Sequence, residues 1–150
     1  MTRKNILIGF ATFILVAISS PSQQTGSLVT VFKIPSCGCC AKWVEHLKAN
    51  GFNVNVQQVS DTSPYERQYR VPKGLESCHT AVVNGYTIEG HVPAADIKRL
   101  LNEHPKAVGL AVSGMPVGSP GMEGAHSDAY SVLIFDENGK TSVYARYPSK

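Results

Sequence analysis

Beyond its first 20 residues the chain has no second long apolar run, no excess of charge of either sign and no internal repeat. The missing apolar run excludes a membrane span in that part, because a spanning helix needs roughly 20 apolar residues. Setting aside Arg3 and Lys4, 12 basic side chains remain against 11 acidic ones. That balance argues against a nucleic-acid binder, which shows clustered positive charge. With 150 residues, 43% of them hydrophobic, the chain has material for one core, so disorder and multiple domains are both disfavoured.

The run that is present, Ile6 to Ile18, follows Arg3 and Lys4 and ends in the small residues Ala17, Ser19 and Ser20. This is the pattern of a secretory signal peptide over residues 1–20, with an uncleaved anchor as the alternative. Residues 21–27 read as a polar leader, and 28–150 as the folded domain. Cysteine is scarce: Cys37, Cys39, Cys40 and Cys78 are the only four. In an exported protein free thiols tend to oxidise, so these are expected to be disulfide-bonded, redox-cycling or held by a metal.

The run Leu28 to Ile34 reads as a strand buried on both faces. A helix from about Cys39 to Asn50 follows, with Cys40, Trp43, Val44 and Leu47 on one face and Gly51 at its end. Phe52, Val54 and Val56 alternate with polar residues and predict a second strand. Ser63, Pro64, Tyr65 and Glu66 have a capping-box pattern that starts a short helix running to about Arg70. Two strands flank Asn84 and Gly85 as a hairpin, and a helix from near Pro93 presents Ile97, Leu100 and Leu101 before stopping ahead of Pro105. Residues 108–129 hold five glycines and two prolines without periodicity, which predicts a long loop of functional kind. Tyr130 to Phe135 and Thr141 to Tyr147 predict a closing hairpin. The order is that of an α/β, thioredoxin-like fold: a mixed sheet flanked by helices, with an additional Met/Gly/Pro-rich loop and a C-terminal β-hairpin.

Three of the thiols fall within four residues at the start of a helix, where unpaired N–H groups and the helix dipole stabilise thiolates. Cys37 and Cys40 have the C-x-x-C spacing of thiol oxidoreductases, with Cys37 expected to be the more exposed nucleophile. Cys39 is surplus to such a pair, and a vicinal Cys39–Cys40 disulfide would be strained, so structural stapling explains only two of the three. Cys78 and His79 immediately precede a strand, Ala81 to Val83, expected to run antiparallel to the first, which brings all four thiols together. The next strand returns to the same end and carries Glu89, Gly90 and His91 there. His79 and His91 are therefore candidate ligands, against the plainer reading of hydrogen-bonded structural histidines. His46 reads as solvated and His104 as a cation at a helix end.

Met115 and Met122 stand in the loop, where a thioether either packs over something or ligates a soft ion. Beside several thiolates the second role gains weight, and Cys with Met favours Cu(I). Four cysteines can also hold one zinc ion, although crowded thiolates suit bridging of several soft ions. An iron–sulfur cluster is disfavoured, since the spacing matches neither ferredoxin pattern. A disulfide-stapled binding module for another envelope protein remains a third reading.

The segments PSCGCCAKWVEHLKANGF, GLESCHTAVVNGYTIEGHVPAADIKRLL and GMPVGSPGME resemble the signature blocks of the periplasmic CopG-type copper-resistance proteins, long catalogued as a domain of unknown function. The resemblance covers nearly all of the chain after the signal-like segment. It implies a thioredoxin-like fold holding a multinuclear Cu(I)–thiolate cluster in the Gram-negative periplasm, with a role in copper resistance and copper redox conversion. Carried over by motif, the ligands would be Cys37, Cys39, Cys40 and Cys78, with His79, His91, Met115 and Met122 in family motifs. Copper ions, and periplasmic copper chaperones or exporters, are the implied partners. One departure concerns the fold: thioredoxin-like proteins commonly place a cis-proline before the third strand, where this chain has His79 and Thr80. Its absence favours metal over disulfide exchange.

Overall fold

The structure, a computed structural model, describes residues 26–149; the expected signal peptide, and all of the leader except Gly26 and Ser27, lie outside the described residues. Ten elements follow in order: β1 (Leu28–Lys33), α1 (Gly38–Ala49), β2 (Asn53–Gln58), α2 (Ser63–Gln68), β3 (His79–Val83), β4 (Tyr86–Glu89), α3 (Ala94–Glu103), β5 (Gly109–Ala111), β6 (Tyr130–Phe135) and β7 (Thr141–Tyr147). The seven strands form one sheet in the order β2-β1-β3-β4-β5-β6-β7. Strand β1 runs parallel to β2 and antiparallel to β3, and β4 runs parallel to β5. The other neighbours are antiparallel. The result is a mixed α/β sheet whose first half is consistent with the thioredoxin-like order expected from the sequence.

Alternation along β1 sorts its side chains. Val29 and Val31 are fully buried against Trp43, Val44 and Leu47 of α1 and Ile97 and Leu100 of α3 in one core. The other face of β1 is only half covered: Phe32 stacks on Tyr65 and Tyr69, while Leu28 is 58% exposed. The strand is thus buried on one face, not on both, because α2 is a single short helix. The Asn84–Gly85 turn has positive φ at both residues, the geometry that matches the twist of a two-residue hairpin.

Three local details differ from the sequence reading. Thr62, not Ser63, is the N-cap of α2, and its hydroxyl donates to Glu66 at 2.9 Å. The expected loop contains a strand, β5, which is only three residues long and too short to show a period. Gly109 is required there, since a Cβ would lie 1.8 Å from the Thr87 carbonyl. His46 is not solvated: it is half-buried, and its Nε2 accepts the Ala94 N–H at the start of α3 at 3.1 Å. His104 does sit at a helix end, as the exposed left-handed cap of α3. Among the described residues no helix is long and apolar enough to cross a membrane.

Candidate metal centre

The turn after β1 delivers Cys37 as the N-cap of α1, where its sulfur accepts the Cys40 N–H at 3.2 Å. Cys39 and Cys40 occupy the first turn of the helix. Cys78 precedes β3, whose first residue, His79, stands opposite Lys33 in the antiparallel pair. The register therefore sets the end of β1 against the start of β3. The four cysteine sulfurs lie within 4.8 Å of one another. Cys78 Sγ is 3.2 Å from Cys37 Sγ and 3.0 Å from Cys40 Sγ, and Cys37 Sγ is 3.5 Å from Cys39 Sγ.

Cys37 and Cys40 are joined as a disulfide, leaving Cys39 and Cys78 as free thiols. Cys39 is half-buried. Within the C-x-x-C pair Cys37 is 8% exposed and Cys40 fully buried, so Cys37 is the more exposed of the two, as expected. Burial, followed by the neighbouring Cys39, pushes the Cys78 thiol up to about 11. Cys39 Sγ also reaches the sulfur of Met115, 3.8 Å away, and Met115 is exposed. The main chain of Met122 bonds to Ser119 and Gly118 and so fixes the loop.

His79 and His91 are fully buried, and each is oriented by a carbonyl. His79 Nε2 lies 3.1 Å from the Gly90 oxygen, and His91 Nδ1 lies 2.7 Å from the Pro120 oxygen. A carbonyl only accepts, so those nitrogens carry the ring protons. The opposite nitrogens, His79 Nδ1 and His91 Nε2, then present lone pairs, and both are buried without a partner. A sulfur from Cys78 and one nitrogen from each histidine lie within 4.8 Å of one another. Burial lowers both histidine pKa values, that of His79 to about 3, so both are neutral and able to ligate. A ligating histidine is held in this way, by a bond from its other nitrogen.

Trp43 supports the group from below. Its ring lies 4.5 Å from that of His79, and its indole N–H donates to the Val92 carbonyl. The loop of residues 112–129 is closed over the helix start by Gly121, where a Cβ would meet Cys39 O at 2.7 Å and Trp43 N at 2.9 Å. Glu89 Oε1 accepts from both the amide and the hydroxyl of Ser77, at 2.7 Å each, and so fixes the residue before Cys78. Burial lifts the Glu89 carboxyl to about 7 despite those bonds.

Residues 75–122 match a family described as a protein of unknown function, DUF411. Two solved structures, both titled copper resistance protein CopG, are 48% identical to this chain. Form 1 has a TM-score of 0.76 and covers 81% of this chain and 97% of its own. Form 2 has a TM-score of 0.78 and covers 82% and 99%. The chain belongs to the CopG family. No curated protein matches it. Within this CopG-type chain the DUF411 segment spans Cys78, His79, His91, Met115 and Met122, and ends short of the C-x-C-C turn on its N-terminal side.

The sequence had pointed to the cysteines, the histidines and the methionines, and the structure draws the cysteines, both histidines and Met115 to one end of the sheet. It had passed over Trp43 as a support and Lys33 as a buried charge. Lys33 was detectable from its phase, two residues after Val31 on the buried face of β1.

Proposed function

We propose that this protein binds copper in the periplasm as Cu(I), in a multinuclear cluster of thiolates, and so contributes to copper resistance and homeostasis. The observation that carries the reading is the convergence of four cysteine sulfurs within 4.8 Å, drawn from two segments about 40 residues apart. The donor set suits a soft ion, because thiolate and thioether select Cu(I). The two buried, unpartnered imidazole nitrogens beside Cys78 add donors that the protein itself leaves unused. The ligands under this reading are Cys37, Cys39, Cys40 and Cys78, with His79 and His91 behind them and Met115 at the exposed side. Met122 is the remaining candidate, one residue beyond the Gly121 contact. Only thiolates bind, so the Cys37–Cys40 disulfide has to gain two electrons from an external thiol reductant before all four sulfurs ligate. Conversion between Cu(I) and Cu(II) would exchange one electron per ion with an external partner. Periplasmic copper chaperones or exporters are the partners that supply or remove the ion.

Anaerobic titration of the fully reduced protein with Cu(I) tests this. The expected result is more than one tightly bound ion per chain; saturation at one equivalent or fewer overturns it.

A second reading, a thiol–disulfide oxidoreductase, is favoured by one observation: Cys37 and Cys40 are joined as a disulfide at the start of α1. Once that bond is reduced, the Cys37 thiolate attacks a substrate disulfide and one substrate sulfur leaves as thiolate; Cys40 then attacks the mixed disulfide, restoring the Cys37–Cys40 bond and releasing the second substrate thiolate. Disulfide turnover by copper-free protein with a dithiol reductant, lost in Cys37→Ser and kept in Cys39→Ser, supports this activity. No turnover removes it.

A further inference from the structure

Lys33 ends β1 in phase with Val29 and Val31, so its side chain enters the molecule on their buried face. Only 5% of it is exposed. Its ammonium donates to the carbonyls of Ile34, at 2.9 Å, and Pro35, at 3.4 Å. Among the described residues no carboxylate forms an ion pair with it within 4.0 Å. Glu89, on the strand beyond β3, is engaged by Ser77 instead. A buried ammonium without an opposite charge is unfavourable, and lysines are almost never buried unless paired.

The place of this charge is specific. The Ile34 oxygen that takes the ammonium also accepts the Cys37 N–H at 3.2 Å, so Lys33 and the cap of α1 share one acceptor. Lys33 is also the register partner of His79, the residue after Cys78. The groups at this end of the sheet that turn anionic on metal loading are the cysteines, since each thiol gives up a proton to the medium when it binds a metal. Four thiolates carry four negative charges and each Cu(I) brings one positive charge. Any load below four ions therefore leaves the sulfur group negative.

We infer that Lys33 is the built-in counter-ion of the metal–thiolate group, stabilising the copper-poor states in which thiolate charge exceeds that of the bound ions. The inference rests on the copper reading above and assigns Lys33 a supporting role, not a ligand's. It makes two effects of opposite sign. Without copper the charge is a burden on the fold; with the first ions bound it becomes an attraction.

The test compares wild type with Lys33→Met, which keeps the stem and removes the charge, and with Lys33→Arg, which keeps the charge. The reduced wild type is titrated first, and failure to bind more than one Cu(I) there defeats the copper reading before any variant is compared. Competition with a chromophoric Cu(I) chelator then gives the affinity for the first ion, and melting of the copper-free protein gives its stability. Lys33→Met is expected to melt no lower than wild type yet bind the first ion about tenfold or more weakly, the scale of one charge pair in a partly buried setting. Lys33→Arg is expected to bind like wild type. If Lys33→Met does not fold, Lys33→Gln, which retains a donor for the carbonyls, is measured in its place. Wild-type affinity in the neutral variant, or equal loss in the neutral and arginine variants, overturns the proposal.

Discussion

The two ends of the sheet handle their polar groups in opposite ways. At the C-terminal hairpin they are paired: Tyr147 donates to the buried Asp96 at 2.6 Å, and at the surface Tyr144 donates to Glu103 at 2.8 Å while Arg99 donates to the Tyr144 carbonyl and lies over its ring. At the cysteine end, the unpartnered buried side-chain atoms gather: His79 Nδ1, Thr80 Oγ1, Glu89 Oε2 and His91 Nε2. Among the described residues these four account for all such atoms, and they fall within one stretch of β3, β4 and the turn that follows. Thr80 and Glu89 stand opposite each other in the β3–β4 pair, where the Thr80 hydroxyl serves the Glu89 carboxyl, while the two imidazole nitrogens lie beside Cys78. The hairpin end ties the fold together, and the cysteine end gathers donor atoms that could hold a metal.

The largest effect that would break this contrast is expected from Cys78→Ser. It removes the sulfur that bridges the space between Cys37, Cys40 and the two histidines. Copper affinity is expected to fall by more than about 100-fold, beyond the range carried by groups behind a ligand, as read by anaerobic chelator competition. Unchanged affinity would mean that the sulfurs do not act together.

A pair of glycines sharpens the comparison. Gly121 and Gly139 both have positive φ, but a Cβ on Gly121 meets the main chain of α1 at 2.7 Å, whereas one on Gly139 meets nothing nearer than Pro72 at 3.8 Å. Gly121→Ala is expected to lower unfolding free energy by about 2–4 kcal/mol and to weaken copper binding, because the loop can no longer close on the helix. Gly139→Ala is expected to lose only about 1 kcal/mol, from backbone strain, with copper binding intact. Denaturant unfolding with and without copper separates the two.

Tyr147→Phe is smaller still. Loss of the bond to the buried Asp96 is expected to lower stability by about 1 kcal/mol and to leave copper stoichiometry unchanged. A change in stoichiometry would show that the two ends are not separate.

How much of this arrangement could be read from the chain depends on whether the deciding signal was local. The C-x-C-C turn, the Asn84–Gly85 hairpin and the α1 face are set by neighbours in sequence, and each was legible. Convergence of Cys78 with the trio was legible too, because antiparallel pairing puts the start of β3 beside the end of β1. Strand β5 was not, since Gly109–Ala111 pairs only through distant partners and three residues carry no period. His46 was misread because its acceptor role depends on where α3 begins in space, which the helical face does not reveal.

His46 supplies the smallest prediction. Burial holds its pKa below the ordinary 6.5, against the pull of Glu123. The folded state therefore resists protonation there, and its contribution to stability is present above that value and declines as the pH falls below it. His46→Gln is expected to flatten this acid limb slightly in urea unfolding of the copper-free protein. An unaltered limb would show that protonation of the His46 imidazole does not shape it.

Copper K-edge absorption of the reduced, Cu(I)-loaded protein tests the central claim most directly. The account predicts a first shell dominated by sulfur together with a copper–copper vector. A shell of nitrogen and oxygen, or an ion with no metal neighbour at full loading, would contradict it.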